Sequence, residues 1–99
     1  MSLNFTALEI PDVLLIRTPR HVDERGYFSE TYRQSAFTTL NTEFVQDNFV
    51  RSDHRVLRDL HFQLPPKAQG KLVRVVRGEI FDVAVDLRVG SDTFSQWVG

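Results

Sequence analysis

The strongest constraint on this chain is the segment EIFDVAVDLR at residues 79–88, where two kinds of side chain alternate along a run of ten. Phe81, Val83, Val85 and Leu87 point one way and Ile80, Asp82, Ala84, Asp86 and Arg88 the other, the period of two that a half-buried strand requires. Gly78 stands just before it and can adopt the positive φ of a hairpin turn, so 79–88 is expected to pair with 71–77. Shorter strand-like runs separated by turn residues occur at 13–18, 26–32, 43–51, 56–63, 71–77 and 93–98. The only helical candidate is a turn or two around Gln34 to Leu40. Many short strands with almost no helix imply an all-β sandwich or barrel. The last strand runs to Gly99 with no closing turn, and the expectation is that 1–99 is a single β domain and a fragment of a longer chain.

Composition narrows the chemistry. A chain of 99 residues suits one domain, which buries roughly two thirds of its extended surface. It has no cysteine, which excludes disulfides, thiolate metal sites and thiol nucleophiles. No apolar run approaches the roughly 20 residues of a membrane span, and the first residues lack a secretory signal. A soluble, cytoplasmic protein is expected. With a net charge of −1 and a pI near 6.3 there is no global field for nucleic acid. Residues 50–77 nevertheless hold seven Lys or Arg (Arg51, Arg55, Arg58, Lys67, Lys71, Arg74, Arg77) against two acids, Asp53 and Asp59. That local excess suits a small anion such as a phosphate.

Strict alternation over 56–63 places Leu57, Asp59, His61 and Gln63 on one face and Val56, Arg58, Leu60 and Phe62 on the other. The first face is mostly polar, as the wall of a wet cavity would be, and it makes His61 a candidate base; a satisfied, partly buried histidine is the other reading. Two histidines at i and i+2 of a strand are a common metal pair in small barrels, but the second position here is Gln63, a poor ligand. No metal is expected, and His21 and His54 read as surface residues. Gln46 and Asn48 share a face, and amides so placed bind neutral polar groups or bond across strands. In DERGYFSETY, Phe28 and Glu30 share a face, with Arg25 just before, where an exposed ion pair is the simpler alternative.

The stretches DERGYFSETY, FVQDNFVRS, VLRDLHFQLPPKAQGKLVRVVRGEIFDVAVDLR and SDTFSQW resemble, in order, the N-terminal half of the dTDP-4-dehydrorhamnose 3,5-epimerases. The resemblance covers nearly the whole chain from about Phe5. It implies a cupin-type jelly-roll barrel and an isomerase that epimerises C3 and C5 of a dTDP-4-keto-6-deoxyhexose in rhamnose biosynthesis. No cofactor or metal is implied. A homodimer with exchanged N-terminal strands is implied, and neither nucleic acid nor membrane is a partner. Carried over by position, His61 corresponds to the general base and Lys71 to the lysine beside the C4 oxygen. Arg58 corresponds to a diphosphate contact, and Gln46 and Asn48 to sugar-nucleotide contacts. Arg25, Phe28 and Glu30 resemble the residues that hold the thymidine part in the partner's site. The family's proton-donating tyrosine and the carboxylate that orients its base lie in the second half of the barrel, and Tyr27 and Tyr32 match neither.

The chain departs from the family pattern Gly-Val-Leu-Arg-Gly-Leu-His, reading Arg55-Val56-Leu57-Arg58-Asp59-Leu60-His61. Arg58 and His61, three apart, need a bulge or twist to share a site. Asp59 is expected to take a left-handed conformation at a cost of order 1 kcal/mol relative to glycine, and to place a negative charge near both Arg58 and His61, neutralising part of the diphosphate site and making the histidine a weaker base. Replacing it by glycine is therefore expected to strengthen nucleotide binding. The alternatives to the epimerase are a truncated or degenerate sugar-nucleotide-binding or dimerising cupin, and a related 3-epimerase or ketoisomerase.

Overall fold

Apolar alternation in the first residues builds a hairpin. In the computed structural model, which describes residues 3–99, strand β1 (Asn4–Ala7) pairs antiparallel with β2 (Leu14–Arg17), Phe5 lying opposite Ile16 and Thr6 opposite Leu15. The connection is tied by the Leu8 N–H donating to the Val13 carbonyl at 3.0 Å and the Val13 N–H donating to Ile10 at 2.8 Å. These bonds turn Ile10 inward, where it is 3% exposed.

The second hairpin joins β3 (His21–Asp23) and β4 (Gly26–Phe28), with Asp23 opposite Gly26. Asp23 accepts the Arg25 backbone N–H at 2.8 Å, a local side-chain bond that stabilises the turn. Gly26 completes it at φ +136°, a region L side chains rarely adopt. Two 3-10 turns follow, Gln34–Ala36 and Thr38–Leu40, where the sequence suggests a turn or two of helix. They present Phe37, 1% exposed, to an aromatic cluster. Phe5 packs edge-on against Phe37 at 5.5 Å between centroids, with Tyr32 at 4.9 Å and Phe44 at 6.2 Å from it. Such pairs add specific geometry to the apolar area they bury. The third sheet pairs β5 (Ala84–Val85) with β6 (Trp97–Val98), Ala84 opposite Val98.

Every residue from 45 through 82 is exposed. The expected strands 43–51, 56–63 and 71–77 run without a ladder, 79–88 is reduced to β5 and 93–98 to β6, while β4 covers only the start of 26–32. Gly78 does turn the chain, at φ +92°, but the expected hairpin between 71–77 and 79–88 is not formed; β5 pairs with the chain terminus instead. The physical reason is that alternation fixes only a local extended tendency, whereas a ladder needs a second strand at the right distance, and none of the described residues supplies one.

The parity of 79–88 is also inverted at its end. Asp86, on the face read as polar, is 5% exposed, while Leu87 is 52% exposed. The burial is affordable because the Asp86 carboxylate is saturated. Its Oδ1 accepts the Arg88 backbone N–H and Nε, both at 2.9 Å, and its Oδ2 accepts the Ser91 and Thr93 hydroxyls, both at 2.6 Å. A buried carboxylate is tolerated when it is paired and bonded in this way.

Candidate functional site

The basic, histidine-bearing segment begins after a turn in which the Val56 N–H donates to the Asp53 carbonyl at 3.3 Å. Arg55 closes that turn with φ 65°, and Asp59 is not among the residues with positive φ. Of the two positions where the family pattern has glycine, 55 therefore carries the left-handed conformation and 59 does not, which corrects the expectation of strain at Asp59. The carboxylate of Asp59 accepts the Leu60 N–H at 2.9 Å.

Arg58 folds back over the same turn, donating from Nε and Nη2 to the Ser52 hydroxyl at 3.1 and 2.9 Å. It does not pair with Asp59 among the described residues; the ion pair in this stretch is Arg51 with Asp53 at 3.6 Å. Asp59 thus leaves the Arg58 charge without a carboxylate partner, contrary to the expected neutralisation, and a hydroxyl partner preserves the full positive charge for an anion.

His61 is exposed, with Nδ1 lying 2.8 Å from the Asp59 carbonyl oxygen. Lys71 follows the turn that contains the Lys67 N–H bond to the Leu64 carbonyl at 2.9 Å, and it is exposed with no carboxylate at ion-pairing distance among the described residues. Just before Lys71 the backbone at Gly70 lies close to Thr42, where an added Cβ would stand 3.0 Å from the Thr42 Cγ2. A larger residue there would push the approach to Lys71 away from Thr42. Gln46 and Asn48 do share a face, the Gln46 Nε2 donating to the Asn48 Oδ1 at 3.1 Å.

The residues of the early hairpin are held separately. Arg25 is fixed by Asp23, its Nη2 at 2.6 Å from Oδ2, and this bond, with the Arg25 backbone N–H, holds the Asp23 carboxyl below its ordinary range. Phe28 lies opposite His21 and is exposed. Glu30 pairs with Arg33, not Arg25, and the Arg20 guanidinium stacks 4.6 Å from the centre of the Tyr27 ring. The structure therefore joins Gln46 to Asn48, and leaves Arg25, Phe28, Glu30, Arg58, His61 and Lys71 each in its own local contacts. Ser52, Asp23 and Arg33, which hold three of these charged groups, were not singled out by the sequence, because a serine or acid near an arginine carries no spacing signal of its own. Among the described residues no three His, Asp or Glu side chains converge as a metal site.

A second polar constellation joins the chain ends. Arg88 donates to Asp86 and also to Asp12, tying the hairpin after β5 to the loop between β1 and β2. Arg88 first, then the Ser91 and Thr93 hydroxyls, hold the Asp86 carboxyl far below the usual carboxylate range, and Asp86 with Asp12 pushes the Arg88 guanidinium up. The sequence signal was Asp-x-Arg-x-x-Ser-x-Thr, a carboxylate followed by three donors at short spacing.

Known proteins supply the frame for these parts. A family model described as dTDP-4-dehydrorhamnose 3,5-epimerase matches residues 7–99. The chain is 53% identical over 100 residues to the dTDP-4-dehydrorhamnose 3,5-epimerase of Shigella flexneri, covering 98% of this chain and 55% of that one. To the enzyme of that name from Pseudomonas aeruginosa it is 56% identical over 97 residues, covering 95% and 53%. The chain thus spans about half the length of these relatives. It also follows the solved dTDP-6-deoxy-D-glucose-3,5-epimerase of Legionella pneumophila, crystallised with dTDP-4-keto-L-rhamnose, with a TM-score of 0.87 and 46% identity over 97% of this chain and 52% of that one. The all-β, cupin-type jelly-roll path expected from the sequence is therefore present, as part of a barrel.

Proposed function

Because the chain belongs to the dTDP-4-dehydrorhamnose 3,5-epimerase family, we propose that it carries the base and the anion-binding residues of a sugar-nucleotide epimerase. The substrate is a dTDP-4-keto-6-deoxyhexose. His61 removes the proton from the carbon beside the C4 ketone, the electron pair moves to the carbonyl oxygen as an enolate, and a donor on the opposite face returns a proton with inversion. The step is repeated at the second carbon.

A histidine alone is too weak for this. Its reference pKa is about 6.5, far below that of a proton beside a ketone, and each unmatched unit costs about 1.4 kcal/mol. Lys71 offsets the mismatch by placing its ammonium at the oxygen where charge develops, a contribution that grows toward the transition state. Its freedom from a carboxylate partner suits it to that role. Arg58, held by a neutral hydroxyl, takes the diphosphate, and the Gln46 and Asn48 amides take sugar-nucleotide polar groups. Arg25, Phe28 and Glu30, on the exposed early hairpin, hold the thymidine part in the site of a second subunit, which makes the enzyme a homodimer with exchanged N-terminal strands. The proton donor and the rest of the barrel lie outside residues 1–99 in this reading, and the enzyme works in the cytoplasm.

The observation that supports the reading is the likeness of this backbone to an epimerase solved with dTDP-4-keto-L-rhamnose. The test is incubation of the full-length protein with the 4-keto sugar nucleotide in deuterated water. Deuterium at both C3 and C5 supports it, with His61→Asn lowering the exchange by roughly a hundredfold or more, the scale of a lost general base. Exchange at one carbon only would assign a 3-epimerase or ketoisomerase, and nucleotide binding without exchange a non-catalytic cupin.

A further inference from the structure

Residue 59 is where the chain departs from its family beside the proposed base. The bond from His61 Nδ1 to the Asp59 carbonyl, 2.8 Å long, constrains the imidazole, because a carbonyl oxygen has no proton to give. Nδ1 must be the protonated nitrogen. In the neutral ring that leaves the lone pair on Nε2.

The same residue controls the carbonyl. The Asp59 C=O and the Leu60 N–H are the two ends of one planar peptide unit, and the Asp59 Oδ1 accepts that N–H at 2.9 Å. The side chain therefore holds the peptide plane whose other edge receives the imidazole. Glycine at this position would keep the carbonyl and lose the group that orients it. The carboxylate is free for this task because Arg58 is engaged by Ser52.

We infer that Asp59 is a positioning residue for His61: its side chain fixes the 59–60 peptide so that its carbonyl accepts the Nδ1 proton and Nε2 is presented as the base. The inference rests on the reading of His61 as the base, and it gives this chain a way of orienting that base from two residues away in the same segment.

The test is ring nitrogen NMR of 15N-labelled chain at about pH 8.5, roughly two units above the reference imidazole value of about 6.5. The His61 signals are assigned by their loss in His61→Gln. The native chain and Asp59→Asn, which keeps Oδ1 as acceptor, are expected to show the Nδ1–H tautomer as the major form. Asp59→Gly should shift the ratio toward Nε2–H by about threefold to tenfold, the scale of one net hydrogen bond. Three results would overturn the inference: an Nε2–H majority in the native chain, an unchanged ratio in Asp59→Gly, or an Asp59→Asn spectrum that follows the glycine variant. No substrate enters the measurement. An intact tautomer pattern with no deuterium exchange at the sugar would sink the proposed reaction and leave the positioning standing.

Discussion

Two regions of the molecule are built on opposite terms. Among the described residues, 4–44 together with 84–98 contain all three hairpin ladders, the two buried apolar side chains Ile10 and Phe37, and the saturated Asp86 carboxylate. Residues 45–82 contain His61, Lys71, Arg58, Gln46 and Asn48 and bury nothing; Leu57 is 89% exposed and Val45 86%. Stability is local in the first region, and the residues proposed as base, electrophile and diphosphate contact lie in the second. Large apolar side chains left in the open over a whole segment are the kind of surface that marks an interaction site. The proposed site segment holds no ladder of its own, while the hairpins hold theirs.

This contrast predicts that mutations will separate by region. The largest effect falls in the packed region, where Phe37→Ala removes the centre of the aromatic cluster. A loss of about 3 kcal/mol or more is expected from a buried Phe→Ala change, read by urea or thermal denaturation. A loss well under 1 kcal/mol would erase the distinction between the regions.

Next comes the acid limb. Asp86 is held below the ordinary carboxylate range in the folded chain, so on acidification the unfolded state takes up a proton at this position before the folded state does. The stabilisation is present above about pH 4, the reference range of the unfolded carboxyl, and is lost as pH falls below it toward the depressed folded value. Asp86→Asn should flatten that limb in a pH series of denaturation midpoints. An unchanged acid limb in the variant would show that Asp86 is not the group responsible.

The smallest effect belongs to the site region. Arg55 sits at φ 65°, and Arg55→Gly should stabilise the chain by about 1 kcal/mol or less through relief of the left-handed conformation. The midpoint of unfolding reads it, and a destabilisation would mean that the Arg55 side chain contributes more than its backbone costs.

These particulars also say what was legible in the sequence. The β1–β2 hairpin strand at Leu14–Arg17, the turn at Gly78, and the 3-10 turns around Gln34–Leu40 could be read because each depends on residues close in sequence. The shared face of Gln46 and Asn48 follows from period two alone, and the two amides do meet. That 43–51, 56–63 and 71–77 run without ladders could not be read, since a strand exists only with its partner, and pairing is set by distant chain. Asp86 was misassigned because alternation cannot show that Arg88, Ser91 and Thr93 converge to satisfy a buried acid. The pattern at residues 55 and 59 showed that two glycines are replaced, but only the backbone shows that the strain falls on Arg55 and that Asp59 turns toward its own peptide.

Amide hydrogen exchange on the 99-residue chain tests the central contrast most directly. The Ser95 N–H, bonded to the Asp86 carbonyl at 2.7 Å, and the amides of the β1–β2 ladder should exchange slowly, as paired backbone groups in the most stable units do. The amides of 56–63, other than those of Val56 and Leu60, should exchange near the unprotected rate. Protection of 56–63 equal to that of the β1–β2 ladder would contradict the account, because the site segment would then hold its structure without anything packed upon it.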